Sequence, residues 1–387
     1  MKVTVAQRPS TVGARTKEVL FGVALLLAAA SIACAVAEFA VRMVAPQQLV
    51  LVRPDIWMPV DTLGWTKRPN VKTSVNTGDR TISLFTDSLG QRVGPHGPRA
   101  AAKHVLLLGD SFMEALSVEH EESIAGQLES RLSALAGEPV RVDNTGVGGW
   151  DPSQYLLQAS RSLGRERYDL VLVAVYLGND IAHSRTTYFP PRELLGDTRL
   201  RWPRQLAWRE VVEAVFYPLN QFLEERSHLF VLAKTRLSTL RMRLGLSRLY
   251  FPTEHLRSER SSSRWDTTAS ILADIAAAAS RIGVPTAFVF IPSNFQVHRE
   301  IMDAYVAGFG LDTTTIDLEQ PNDLLSERLV ARGLSVYDPL PHLQSLGGRK
   351  GYLFGAVDTH LNAAGHREIA AWLAPQLARY AASASRP

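Results

Sequence analysis

The stretch HVLLLGDSFM, residues 104–113, decides the fold. Residues 105–108 are consecutively apolar, the pattern of a short strand buried on both faces. Gly109-Asp110-Ser111 stops that run, and SVEHEESIAGQLESRL, residues 117–132, follows with helical spacing of its apolar positions. In an open α/β sheet, a residue just past the carboxyl end of a central strand faces the crevice where such sheets bind ligands. Ser111 stands at that position, beside main-chain amides suited to receive negative charge. Taken alone, Gly-Asp-Ser reads first as a polar turn between strand and helix.

Outward from this stretch, strands and helices alternate. The pattern predicts strands at 105–108, 140–144, 170–177, 286–291 and 335–337. It predicts helices near 117–135, 153–164, 265–282 and 362–380. Such alternation argues for an α/β protein whose parallel sheet is covered on both faces. With five strands and right-handed crossovers, a flavodoxin-like, doubly wound order is expected. The segment 185–264, between strands three and four, is far longer than a crossover needs. It is basic, helical in pattern, and carries Trp202, Trp208, Phe216, Tyr217, Phe222 and Phe230. It reads as a helical insertion, either a subdomain packed on the main one or a lid over the crevice.

Composition sets wider bounds. With 387 residues, 46% hydrophobic and 21% charged, the chain can fold as one large domain or two ordinary ones. A net charge of +4 without a long Lys/Arg run gives no support to nucleic-acid binding. Cys34 is the single cysteine, so neither an intrachain disulfide nor a cysteine-based metal site is possible.

Residues 19–37, VLFGVALLLAAASIACAVA, are uncharged and mostly apolar. As a helix they would span about 28 Å, close to the thickness of a bilayer's hydrocarbon core. Lys2, Arg8, Arg15 and Lys17 precede the run, and the stretch after it is less basic. The positive-inside rule then places the amino terminus in the cytoplasm and Glu38 onward outside. An uncleaved signal anchor is favoured. A cleaved signal peptide would have a shorter core and a small-x-small cleavage site, and Ser31 does not suit a lipoprotein signal at Cys34.

Residues 46–100 are rich in Pro, Gly and Thr without helical periodicity. Residues 81–85 alternate like an edge strand, and Asp87-Ser88-Leu89-Gly90 reads as a turn. The domain plan is therefore a cytoplasmic terminus at 1–18, an anchor at 19–37, an extended or β-rich arm at 38–103 and a main domain at 104–384.

Three further stretches should reach the crevice with Ser111. Asn144-Thr-Gly-Val-Gly-Gly-Trp150 follows strand two, Gly178-Asn-Asp180 follows strand three, and Asp358-Thr-His-Leu-Asn-Ala-Ala-Gly365 precedes the last helix. A glycine turn, a polar turn and an N-cap by Asn362 are each ordinary; their joint occurrence is not. The chemistry they support is acyl transfer. A serine hydroxyl needs a base, and His360 is the candidate. Asp358 can accept the other imidazole N–H and fix the tautomer. The Ser111 amide, a glycine amide of the second stretch and the Asn179 side chain can receive the oxyanion.

Together these blocks resemble the SGNH, or GDSL, hydrolase superfamily over roughly residues 104–380. The resemblance implies Ser111 as nucleophile, Asp358 and His360 as acid and base, and Ser111, Gly149 and Asn179 as the oxyanion hole. Asp110, Gly178 and Asp180 would be supporting residues, and no metal or cofactor is implied. The anchor, with Asp61-Thr-Leu-Gly-Trp65 and Leu89-Gly-Gln-Arg92 of the arm, resembles membrane-anchored bacterial members. That implies a single-pass protein of the bacterial inner membrane, with its catalytic domain in the periplasm. One departure is Asp-Thr-His in place of the commoner Asp-x-x-His; the shorter form resembles alginate O-acetyltransferase-like members. An α/β-hydrolase is disfavoured because Ser111 lacks the Gly-x-Ser-x-Gly elbow.

The expected function is an extracytoplasmic serine esterase acting on an O-acylated carbohydrate or lipid, with partners otherwise unknown. The alternative is an O-acyltransferase modifying a cell-surface polysaccharide with the same three residues. Asp110, Asn179, Asp180, Asp358 and His360 as ligands of a metallophosphoesterase would be a third reading, and a non-catalytic binding protein a fourth. The other nine histidines show no paired ligand spacing.

Overall fold

A computed structural model of the chain describes residues 11–47, 49, 53–181, 216, 219–220, 222–244, 251–347, 352–356 and 358–381. It begins with helix α1, Thr11–Val44. Within α1, Val19–Val44 has a mean hydropathy of 2.6 and none of it is buried, so it is long and apolar enough to cross a membrane. The helix outruns the expected 19–37 segment because nothing in 38–44 breaks it, and Glu38 and Arg42 pair one turn apart at 2.6 Å.

Five short strands follow: β1 Trp57–Val60, β2 Gly64–Lys67, β3 Lys72–Asn76, β4 Thr81–Thr86 and β5 Arg92–Val93. Strands β1 and β2 form a hairpin. The parallel strands are β6 Lys103–Leu108, β7 Val140–Asn144, β8 Leu170–Tyr176, β9 Thr286–Ile291 and β10 Ser335–Tyr337. The main sheet runs β10-β9-β8-β6-β7-β5-β4-β3. Its first five members are parallel in the flavodoxin-like order. The expected five strands are thus all present, but the sheet continues with three antiparallel strands from the arm.

Arg92 opposite Asn144 is the join between the two parts. Residues 81–85 are correspondingly not an edge: β4 is paired on both sides, and β3 forms the border. The turn at Asp87–Gly90 forms as expected, closed by the Gly90 amide donating to the Asp87 carbonyl at 3.1 Å. Gly90 adopts φ +77°, and a Cβ there would stand 2.6 Å from the Lys67 carbonyl oxygen.

Helices in chain order are α2 Ser111–Glu114, α3 Ile124–Ala136, α4 Pro152–Leu163, α5 His228–Arg243, α6 Arg264–Ser280, α7 Asn294–Val297, α8 Arg299–Phe309, α9 Gln320–Val330, α10 Leu340–Ser345 and α11 Ala363–Ala381. Pleating sends alternate β6 residues into two cores. Leu106 and Leu108 meet α4, α6, α9 and the arm's Ile56, Leu63, Val75, Ile82 and Leu84. Val105 and Leu107 meet α3 and α11. Each fully buried leucine contributes about 1.5–3 kcal/mol, so the arm shares a core with the sheet that it extends.

The helix expected from 117 starts at 124 instead, where Ser123 caps it through the Gly126 amide. The intervening chain is diverted by the buried Arg92, whose guanidinium donates to the carbonyls of Glu114, Ala115 and Val118. Ala115 takes φ +55° there. Half of the 185–264 insertion lies outside the described residues, Trp202, Trp208 and Tyr217 among them. Its described portion includes α5, whose amino end meets α1. Glu38 accepts from the Ser227 hydroxyl and from the His228 and Leu229 amides at 2.8–3.0 Å.

Candidate active site

The site gathers at the carboxyl ends of β6, β7 and β8. Gly109 lets the chain turn sharply, since a Cβ there would stand 2.4 Å from Met113 Cγ. Asp110 then caps α2, accepting from the Phe112 amide at 2.9 Å. Ser111 is the first residue of that short helix. Burial pushes the Asp110 carboxyl up to about 6, although the Phe112 amide and the nearby His360 pull it down.

The last helix brings the partner from the other end of the chain. Asn362 accepts from the Ala364 and Gly365 amides and so caps α11. Its own amide group donates to the carbonyls of Tyr352 and Phe354, closing the neck of the preceding loop. His360 projects from that loop. Its Nε2 lies 2.8 Å from Ser111 Oγ, across 249 residues of sequence. Its Nδ1 lies 2.5 Å from Asp358 Oδ1. The same oxygen accepts the His360 amide at 3.1 Å, which one intervening residue makes possible.

Burial alone would lower the imidazole's pKa. The hydrogen bond and charge of Asp358, with Asp110 and Glu114 behind them, outweigh it and hold His360 above the usual histidine value. Phe112 packs beneath the imidazole, ring centroids 4.8 Å apart, and Tyr176 packs on Phe112 at 4.3 Å.

The glycine loop after β7 forms the facing wall. Asn144 ties it to α2, donating to the Met113 carbonyl at 2.7 Å and accepting from the Gly146 amide at 3.0 Å. Gly148 lies close against Ser111, where an added Cβ would be 3.6 Å from Ser111 Cβ. Its amide, however, donates to Glu114 at 2.9 Å. Gly149 takes φ +78°, and among the described residues its amide donates to no acceptor. Asn179 is exposed, and its side chain hydrogen-bonds Asp110.

Asp180 is turned inward, accepting from the Tyr155 hydroxyl at 2.9 Å and the Tyr176 amide at 2.8 Å. Burial, with Asp110 adding to it, pushes its carboxyl well up. Gly178 is buried against Tyr176, whose Cζ would lie 2.5 Å from an added Cβ. Thus Ser111, Asp358 and His360 converge and Asn179 stands beside Asp110, whereas Gly149 faces Trp65 and Asp180 is committed elsewhere. Among the described residues, the ligand atoms of Asp110, Asp180, Asp358 and His360 do not gather into a cluster with ligand-like geometry. The described cluster with ligand-like geometry, His104, Asp143 and Glu166, already has the Arg141 guanidinium on both carboxylates.

Residues that sequence reasoning missed lie mainly behind the glycine loop. Glu114 accepts from the Trp57 indole at 2.7 Å as well as from Gly148. Lys67, fully buried, donates to the Gly146 carbonyl. Trp65 donates to the Gly148 carbonyl at 2.9 Å, and Trp150 donates back to the Trp65 carbonyl at 2.9 Å. Burial raises the Glu114 carboxyl, with Lys67 and Arg92 opposing. Burial lowers the Lys67 ammonium to about 8 and the Arg92 guanidinium to about 10, with Glu114 opposing in both cases. The signal available beforehand was the arm's Gly-Trp and Gln-Arg pairs, read there only as part of a resemblance.

No family model matches the chain, nor does any curated protein sequence. Similar solved structures include TesA, at 13% identity and TM-score 0.37, covering 72% of this chain and 99% of that one. A lipolytic protein of the G-D-S-L family from Veillonella parvula gives 12% identity and TM-score 0.39, covering 72% and 100%. A catalytic mutant of an acetylxylan esterase from Geobacillus stearothermophilus gives 13% and 0.37, covering 74% and 99%. Likeness this distant assigns no chemistry; the side chains must.

Proposed function

We propose that this chain is an SGNH-type serine ester hydrolase. The observation that carries the reading is the relay Ser111 Oγ–His360 Nε2–Asp358, at 2.8 and 2.5 Å. In it, His360 takes the hydroxyl proton as Ser111 attacks an ester carbonyl. Asp358 holds the tautomer and stabilises the imidazolium. The Ser111 and Gly149 amides and the Asn179 side chain receive the oxyanion, each donor contributing about 3 kcal/mol to lowering the barrier. His360 returns its proton to the leaving alkoxide, and water releases the acyl group from Ser111.

The His360 side chain keeps 29% of its exposure among the described residues, which leaves room for that water. The α1 span and the basic residues before it support a bacterial cytoplasmic-membrane anchor with the catalytic domain outside. An O-acylated carbohydrate or lipid is the substrate class available there.

The test is p-nitrophenyl acetate hydrolysis in the presence of EDTA. The reading requires activity that Ser111→Ala abolishes. Activity that persists in that variant, or that EDTA removes, would overturn it. Acetyl appearing on an added oligosaccharide faster than in water would replace hydrolase with transferase.

A further inference from the structure

The acid–base loop is closed upon itself at its neck, where the Gly355 amide donates to the His360 carbonyl at 2.9 Å and Phe354 bridges Leu361. Its tip is held by a residue from the opposite end of the chain. Asp79, in the turn between β3 and β4, accepts the Ala356 amide on Oδ1 at 3.0 Å and the Asp358 amide on Oδ2 at 2.8 Å. Gly355 is what allows this wrap, since a Cβ there would stand 2.4 Å from Asp79 Oδ2.

The β3–β4 turn is itself fixed. Gly78 takes φ +90° with its amide on Asn76 Oδ1 at 2.7 Å, and the Thr77 amide donates to the Arg80 carbonyl at 3.1 Å. Arg80 pairs with Glu122 at 2.8 Å, and Glu119 accepts the Ser83 amide. Asp79 is therefore a carboxylate presented on a braced hairpin to two neighbouring N–H groups of one loop. Because a single residue separates Asp358 from His360, locating the Asp358 backbone also locates the carboxylate that orients the imidazole.

We propose that Asp79 is a positioning residue for the acid–base pair, acting through the main chain of Asp358. Its kinetic consequence rests on the ester-hydrolase reading above; its geometric consequence does not. Groups facing the imidazole are Asp358, Asp110 and Glu114, with the buried His366 beyond. Asp79 works by keeping the first of these in place.

The experiment compares wild type, Asp79→Ala and Asp79→Asn in the full chain, with two readouts. One is kcat and KM for p-nitrophenyl acetate; the other is the titration of the His360 ring by NMR, which needs no turnover. Alanine is expected to lower kcat about 10- to 100-fold with KM within about 3-fold, and to move the His360 titration toward lower pH. Asparagine keeps one acceptor and should fall between; it also serves as the test should the alanine variant not fold. An unchanged His360 titration in the folded variants overturns the proposal, even if activity falls with stability. A shifted titration in a protein whose Ser111→Ala form keeps full activity upholds Asp79 and overturns the hydrolase reading instead.

Discussion

Two loops face each other across Ser111, and they are secured in opposite ways. The glycine loop is held from behind by buried charge: Glu114 on the Gly148 amide, Lys67 on the Gly146 carbonyl, and Arg92 on the carbonyls that end α2. The acid–base loop is held by hydrogen bonds to its own main chain and by one exposed carboxylate, Asp79. Truncating one partner of a buried charge cluster strands the others in low dielectric, which typically costs about 3–5 kcal/mol. Losing an exposed carboxylate acceptor costs about 1 kcal/mol. The glycine-loop side of Ser111 is thus built into the stability of the fold, whereas the His360 side can be perturbed with the fold intact.

The largest expected effect falls where the two sides meet. Ser111→Ala and His360→Ala should each lower kcat/KM on the order of 10⁴-fold or more, and the double variant should be no worse. Losses that multiply would show that the two groups do not act as a unit.

Next in size is Glu114→Ala, expected to destabilise the protein by about 3–5 kcal/mol in urea unfolding because Lys67 and Arg92 are left buried without it. A change no greater than that of Asp79→Ala would erase the contrast between the loops.

The pH profile is a finer probe of the acid–base side. His360 must be neutral to accept the serine proton, so kcat/KM should rise with pH through the imidazole's value, which Asp358 holds above that of an ordinary histidine. Asp358→Asn removes the group that raises it, so the acid limb should move to lower pH while activity falls. An unmoved limb would assign it to another group.

The smallest effect is expected for Trp65→Phe, which removes one hydrogen bond to the Gly148 carbonyl. About 1 kcal/mol of stability and a several-fold fall in kcat should follow. A KM change without a kcat change would place Trp65 in substrate binding instead.

How much of this was legible beforehand depended on the range over which residues signal. The parallel strands announce themselves locally, since 105–108 and 170–176 are unbroken apolar runs. Ser111, Asp358 and His360 could be singled out because nucleophilic chemistry restricts which residue types suffice. The joining of β3–β5 to the sheet could not, because β5 is two residues long and its pairing with β7 depends on a buried arginine. Arg92 also hid the true start of α3, since its effect on residues 114–118 comes from across space. Asp79 and Glu114 look like ordinary surface acids in sequence; only the fold shows which main-chain groups they hold.

The antiparallel extension bears directly on how this protein can be handled. A soluble fragment cut at 104, where the sequence alone would place a domain start, would leave β7 as a bare hydrogen-bonding border, an invitation to aggregate. It would also strip Glu114 of both cations and free the tip of the loop that carries His360. A working soluble form has to begin before Arg53.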